Sequence, residues 1–576
     1  MENINIKPSE MRLNEKYFEK DENYSYDKLP KGNLYDFLLE KNANHMNDVG
    51  IVFAGKEITY EEMHTRIDEY ARALYKKGVR KGDIIGLCLA NTPEALYLIY
   101  AINKLGAIAC QINPMDNSFK IMRDLEIVKP KMIFTINESY KNIKKAKKNI
   151  EDSIDVIVFP VVQSIDNELI HVLYGLKQVV TGNALLNMNN SLKKLLADAT
   201  EYDKAEYPKY VPDTLSHIVF TGGSSGTHKG VDLSSNALNS VIRSTDYVKY
   251  MKEGDVFLAN LPMFMAFGLF TMHYALCNNS RVELTLNLLP KDFIKELDRT
   301  KPAGAFGGPI HWDEFIKNPE EAKKLDLSNM VMPVSGGEQL VIEKWEKINE
   351  ILLKCGAQSK LWNGLGASEM WAPTTIARND NTVGTIGRAM PFNTVKIVDL
   401  NSERELGFNE VGRLYIKGPG MMLGYHANPE ETKKVFKYDE NGEKWYDSGD
   451  IAKIDETGEI TFVGREKRCF VCGVDNIYPE QIENIVSDID GVNSILVTHI
   501  FDPNIQNVPI YHIYVDQDID TNSLSQKIKQ RIKNTLGESA MPGEIVYTYE
   551  PLPVTQNGKL DPKPLQAEDV KKYIRK

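Results

Sequence analysis

Residues 84–90 (Ile-Ile-Gly-Leu-Cys-Leu-Ala) form a short unbroken apolar run, the pattern of a strand buried on both faces. Asn91-Thr92-Pro93 follows; Thr92 suits a helix cap and Pro93 the first turn. Apolar positions then continue to Leu105, and Gly106 can end the helix. Residues 107–112 are apolar again, Met132-Ile133-Phe134 follows Pro130-Lys131, and residues 156–162 repeat the theme. Strands alternating with helices predict parallel βαβ units and an α/β core. The lysine-rich stretch 141–148 reads as a solvated helix face. From Phe392 the texture changes. Val395-Lys396-Ile397-Val398 and Arg413-Leu414-Tyr415-Ile416 alternate like antiparallel strands, with Gly and Pro clustered at residues 418–420. After Arg465, strands at 494–499 and 511–515 and an amphipathic helix at 523–536 outline a separate small unit. The expected fold class is therefore α/β. A large N-terminal domain, residues 1–465, holds βαβ parallel-sheet subdomains and a small antiparallel barrel-like subdomain; a small mobile α+β C-terminal domain spans residues 466–576.

Composition narrows the function classes. Of 576 residues, 42% are hydrophobic and 26% charged, which excludes collagen-like and mostly disordered chains. With 69 basic and 80 acidic residues the net charge is −11, no electrostatic footprint for nucleic acid. The six cysteines are too scattered for a disulfide framework and suggest a reducing compartment. Cys469 and Cys472 form a CxxC without a second pair or a histidine at zinc spacing, and read as incidental thiols. Residues 1–30 mix acids and bases, unlike a signal peptide. The apolar stretch 95–112 is broken by Asn103, Lys104 and Gly106, short of a membrane span of about 20 residues. The expectation is a soluble, cytoplasmic protein without a membrane span.

The candidate chemistry begins after Ile218-Val219-Phe220. Thr221-Gly222-Gly223-Ser224-Ser225-Gly226-Thr227-His228-Lys229-Gly230 combines glycines that let the backbone present N–H groups, four hydroxyls in its first seven residues, and a cation. This is the chemistry of a phosphate cradle, but no register supplies the GxxxxGK[ST] step of the common nucleotide loop.

The stretch resembles the signature of the adenylate-forming, AMP-binding superfamily, which includes acyl-CoA synthetases, peptide-synthetase adenylation domains and luciferases. Further segments resemble its motifs in order: Leu261-Pro262-Met263-Phe264 through Gly268; Ser335-Gly336-Gly337-Glu338; Gly364-Leu365-Gly366-Ala367-Ser368-Glu369; Trp445 through Ser448-Gly449-Asp450; Gly464-Arg465-Glu466-Lys467; Asn476-Ile477-Tyr478-Pro479; and Thr555-Gln556-Asn557-Gly558-Lys559. The resemblance implies an enzyme that joins a carboxylic acid to ATP, releases pyrophosphate, and passes the acyl group from acyl-AMP to a thiol. It implies Lys559 as the catalytic cation, bridging the acid and the α-phosphate, and Glu369 as the Mg²⁺ ligand. ATP would be held by Thr221, Gly222, Gly223, Ser224, Ser225, Gly226, Thr227 and Lys229; by Gly336, Gly337, Glu338, Asn363 and Gly364 around adenine; by Ser368; and by Asp450 and Arg465 at the ribose. Met265, Phe267, Gly268, Gly308 and Gly366 would line the acyl pocket, and Arg468 would be the hinge between domains. The implied cofactors are ATP, Mg²⁺ and coenzyme A.

Several positions depart from the family pattern. Leu365 stands where a tyrosine is usual, Met265 where a histidine is, Arg468 where an aspartate is common, Val474 where glycine is common, and Pro562 where an arginine often follows the lysine. The segment 261–270 carries no charge, which speaks against an amino acid substrate, and its Met and Phe suit a fatty acid first and an aryl or cyclic acid second. The partners implied are the acid and CoA, with an acyl carrier protein as the alternative acceptor; a homodimer is left open.

Overall fold

The computed structural model describes residues 7–11, 13–150, 154–165, 191–200, 202–222, 228–338, 340–472, 475–502, 506–555 and 559–574. Ile84–Cys88 lies inside a seven-stranded sheet, between Ile108–Gln111 and Met132–Ile136, both parallel to it. Helices pack on its faces, so both sets of side chains are buried, as its unbroken apolar run requires. The helix Pro93–Lys104 starts where expected, with the Thr92 side chain accepting from the Ala95 N–H, and Gly106 turns the chain at φ +66°. The strand expected over 156–162 is Asp155–Phe159 and stops at Pro160, which has no N–H for the ladder. In the helix Asn137–Lys148, Ile143 and Ala146 are buried while Lys141, Lys144, Lys145 and Lys148 face solvent.

The sheet ends in an antiparallel hairpin. Leu215–Gly222 pairs with Ile108–Gln111 on one side and His228–Ser234 on the other, with Thr221 opposite Lys229 and Gly222 opposite His228. Gly424–Tyr425 adds to the outer edge of that hairpin, Tyr425 opposite Val231. A second seven-stranded sheet runs from Trp362–Gly364 through Met332–Gly336, Gly304–Gly307, Val256–Ala259 and Arg281–Leu284 to Val49–Phe53, all parallel, with Lys56–Thr59 antiparallel at the far edge. Gly336 and Gly364 are paired at the carboxyl ends of their strands. Such ends are where parallel sheets place ligands.

The change of texture after Phe392 is a five-stranded antiparallel sheet containing Thr394–Val398, Gly412–Lys417, Phe436–Tyr438, Lys444–Ile454 and Ile460–Arg465. Its last pairing puts Asp450 opposite Arg465. Beyond it, Ser494–Asp502 and Gln506–Tyr514 form a long hairpin, with Glu544–Thr548 parallel to the second strand. The helices Pro479–Ser487 and Thr521–Leu536 close a core of their own around Ile482, Val497, Tyr511 and Ile528. The whole is a mixed α/β molecule: parallel sheets first, antiparallel sheet next, and a small α+β unit last.

Among the described residues no helix is long and apolar enough to cross a membrane. All six cysteines are free thiols. Burial pushes Cys469 up to about 11 and also raises Cys472, which suits inert side chains better than a reactive pair.

Candidate active site

Residues far apart in sequence meet at the carboxyl ends of the Met332–Gly336 and Trp362–Gly364 strands. Gly337 turns the chain at φ +87°, a conformation that favours glycine, with open space where a side chain would be. Lys559, from the C-terminal unit, reaches this turn and donates from Nζ to the Gly337 carbonyl at 2.5 Å. Its Nζ lies 4.0 Å from Glu338 Oε1. The backbone around Lys559 is set by a tight return: Thr555 N–H donates to the Lys559 carbonyl, and Lys559 N–H donates to Thr555 Oγ1. The side chain keeps 45% of its surface, and its ammonium end lies against Gly337 and Glu338. Desolvation there lowers its pKa, Arg465 adds to that, and Glu338 opposes it. Burial raises the Glu338 carboxyl, and Lys559 pulls it back.

Asp450 is 2% exposed. Arg465 Nη1 lies 2.8 Å from its Oδ1, but the alignment is not that of a hydrogen bond, so this buried oxygen keeps an open acceptor direction. Burial raises the Asp450 carboxyl, and the guanidinium opposes the rise. The Arg465 side chain stays half exposed and donates to the Ser448 carbonyl at 3.4 Å.

Glu369 lies in the single turn Ser368–Met370 and is 9% exposed. Its Oε1 accepts from the Tyr425 hydroxyl at 2.8 Å. The residues that follow it, Trp371 (φ 55°) and Ala372 (φ 87°), occupy the left-handed region, a cost that Trp371 offsets by complete burial and by donating from Nε1 to the Ser234 carbonyl. Lys229 Nζ lies 4.7 Å from the centre of the Tyr425 ring and 2.5 Å from Glu431 Oε2. The Lys229 hydrogen bond, with help from Lys434, holds the Glu431 carboxyl down at about 2. Tyr425 and Glu431 lie in none of the family-like segments of the sequence. Their role depends on the Gly424–Tyr425 edge strand and on the helix Pro429–Val435, and neither carries a recognisable motif.

Thr221 and Gly222 end the strand Leu215–Gly222; Gly223, Ser224, Ser225, Gly226 and Thr227 lie outside the described residues. Asn363 donates from Nδ2 to the Thr385 carbonyl at 3.4 Å. Among the proposed pocket residues, Met265 is half-buried at the start of the helix Ala266–Cys277. The Phe267 ring lies against the Gly336 backbone, 3.3 Å from where a Cβ would be, and 6.2 Å from the Phe306 ring. A side chain on Gly268 would strike the Pro262 carbonyl, and one on Gly366 the Ala372 carbonyl, so both glycines are required by backbone contact. Gly308 has ordinary room. Arg468 is gripped by the C-terminal unit: Glu483 takes both Nη atoms at 2.6 and 2.9 Å, Glu480 takes Nη1 at 3.2 Å, and Nη2 reaches the Val497 carbonyl at 3.3 Å. Gly473 and Val474 lie outside the described residues.

Two paired strand ends, a hairpin bearing the glycine-rich segment and a cation from the C-terminal unit come together in the arrangement expected of the adenylate-forming class. The chain belongs to the AMP-binding enzyme family, whose model matches residues 38–426. It is 27% identical over 491 residues to the long-chain-fatty-acid–CoA ligase of Bacillus subtilis (strain 168), covering 82% of this chain and 84% of the relative. It is likewise 27% identical over 488 residues to probable 4-coumarate–CoA ligase 2 of Dictyostelium discoideum, covering 83% and 84%. Its fold matches the anthranilate CoA ligase AuaEII, solved with anthranoyl-AMP, at TM-score 0.81 and 18% identity over 96% of this chain and 100% of that one.

Proposed function

We propose that the protein is an ATP-dependent acid–thiol ligase that converts a carboxylic acid to acyl-AMP and pyrophosphate, then transfers the acyl group to CoA with release of AMP. The observation that carries this is Lys559 lying on the Gly337 turn, 222 residues away in sequence. An anionic acid must attack an anionic α-phosphate, and a cation held in a partly desolvated cleft offsets both charges as they meet. Asp450, with its open buried acceptor, takes the ribose hydroxyls, and Arg465 flanks it. Gly336, Gly337, Glu338, Asn363 and Gly364 border the adenine. Residues 221–227, Lys229 and Ser368 take the phosphates; Lys229 exchanges Glu431 for phosphate oxygen when nucleotide enters.

Glu369 fits a magnesium ligand: it is a hard oxygen donor, nearly buried and oriented by Tyr425, and magnesium needs one or two such groups beside phosphate and water. Bound there, Mg²⁺ would neutralise phosphate charge. The uncharged segment 261–270, with Met265 and Phe267, supports an apolar acid, fatty in the first place and aryl in the second. The boundary between the two domains falls at residues 465 and 466. Because Arg468 is tied to Glu480 and Glu483, it moves with the C-terminal domain, and the pivot works through the backbone of the short turn Glu466–Arg468.

The test is a panel of acids screened for acid-dependent pyrophosphate release, followed by thioester assay with CoA and with carrier proteins. Release with at least one apolar acid and thioester with free CoA are expected. Pyrophosphate release with thioester on a carrier protein alone would move the acceptor; absence of release with every acid would refute the reading.

A further inference from the structure

Beside the glycine-rich hairpin, away from Glu369 in the chain, three ligand-type side chains converge from separate elements. Asp116 sits in the turn before the helix Ser118–Val128, Asp124 lies on that helix, and His228 is the first residue of the strand His228–Ser234. The pairing of Ile108–Gln111, Leu215–Gly222 and His228–Ser234 brings the turn and helix up against the hairpin. One donor atom from each of the three lies within 4.8 Å of the others.

Both carboxylates are nearly sealed from water, Asp116 at 2% and Asp124 at 1% exposure. Buried carboxylates need pairing or a metal. Asp124 Oδ1 lies 3.2 Å from His228 Nδ1. Lys120 Nζ stands 3.8 Å from Asp116 Oδ1, beyond hydrogen-bond length. The Asp116 carboxylate is buried, faces the other two, and has Lys120 as its nearest cationic partner. Burial raises both carboxyls; His228 lowers Asp124, and Lys120 lowers Asp116. Two acids thus share one closely placed imidazole and one loosely placed ammonium.

We propose that Asp116, Asp124 and His228 form a binding site for a first-row divalent cation, separate from the magnesium expected at Glu369. The mixed oxygen and imidazole donor set favours such ions over Mg²⁺ or Ca²⁺, which take oxygen throughout. The 3.2 Å between Asp124 Oδ1 and His228 Nδ1 matches two adjacent ligands with bonds of about 2.0–2.2 Å. Small side-chain rotations bring Asp116 to the same centre, and water completes the shell. The cation ties the helix Ser118–Val128 to the strand carrying Lys229, the residue directly after His228, and so sets where that ammonium stands.

The test is titration of Mn²⁺ into the full-length, ATP-free protein, with free Mn²⁺ read by electron paramagnetic resonance. Mn²⁺ avoids competition from the buried thiols. One site is expected below about 1 mM, raising the melting temperature as ligand binding to the native state must. Asp124→Asn and His228→Gln should each weaken binding at least tenfold, in line with losses seen when groups supporting a metal are removed. Glu369→Gln should leave it unchanged. Asp116→Asn carries the test if either of the first two variants fails to fold by circular dichroism. No binding by the wild type, wild-type binding in the folded variants, or loss of the site in Glu369→Gln would each overturn the proposal.

Discussion

The N-terminal sheets and the C-terminal unit contribute to one site in different ways. The sheets offer groups that barely move: Asp450 and Glu369 are nearly buried, and Gly336 and Gly364 sit in register on adjacent strands. The C-terminal unit has a core of its own and sends in one long, half-exposed side chain, Lys559, whose hold on the body is a hydrogen bond to a carbonyl and a 4.0 Å contact to Glu338. Rigid groups suit recognition of a nucleotide. A group on a separately folded unit suits a step that must be made and then withdrawn, since a site that first shields an adenylate from water must later admit a thiol.

The comparison can be broken most severely at its point of contact. Lys559→Ala should cut acid-dependent adenylate formation on the order of 10²–10³-fold, the scale of losing one preorganised stabilising group, while ATP binding by calorimetry stays near wild type. Wild-type pyrophosphate release by the variant would remove Lys559 from the chemistry. On the rigid side, Glu369→Gln keeps shape but loses charge. Activity should fall on the order of 10²-fold and recover in part at raised Mg²⁺; an unaltered Mg²⁺ dependence would take Glu369 out of the metal site.

Arg468 tests whether the C-terminal unit moves as a body. Arg468→Gln breaks its pairs with Glu480 and Glu483, which keep 10% and 16% of their side-chain surface. Breaking a buried pair costs about 3 kcal/mol. Thermal unfolding should then split, with the C-terminal unit melting first; a single unshifted transition would contradict the buried grip.

The smallest effect concerns pH at a second contact between the two regions. Glu343, on the helix Ile342–Lys354, is pushed up to about 7 by burial first, and then by sharing a proton with Asp488 of the C-terminal unit, while Arg531 pulls the other way. A carboxyl with a raised native pKa binds more protons when folded than unfolded. Its contribution is therefore complete below its ordinary carboxyl range and lost as pH climbs from about 4.5 to about 7. The contact between the regions should loosen over that window, read as faster proteolysis near residues 465–468. Glu343→Gln should flatten the dependence, and an unchanged slope would assign it elsewhere.

Much of this was legible in the residues themselves. Apolar runs bounded by Thr92, Pro93 and Gly106 marked strand and helix because capping and glycine turns are local chemistry. The glycine-rich stretch, Glu369, Asp450, Arg465 and Lys559 stood out because they lie in short, ordered segments that resemble the family's motifs. Other features depended on pairing between distant segments. Tyr425 reaches Glu369 and Lys229 because a two-residue strand adds to a hairpin nearly 200 residues earlier. Arg468 reads in sequence as a free joint, yet two glutamates on a helix after it hold it fast. His228 looks like one more residue beside Lys229 until strand pairing sets it against Asp116 and Asp124. Local propensity and motif spacing act through neighbours in the chain and can be read from it. Which charges share a buried space depends on strand order and register, and these arise only when the sheets assemble.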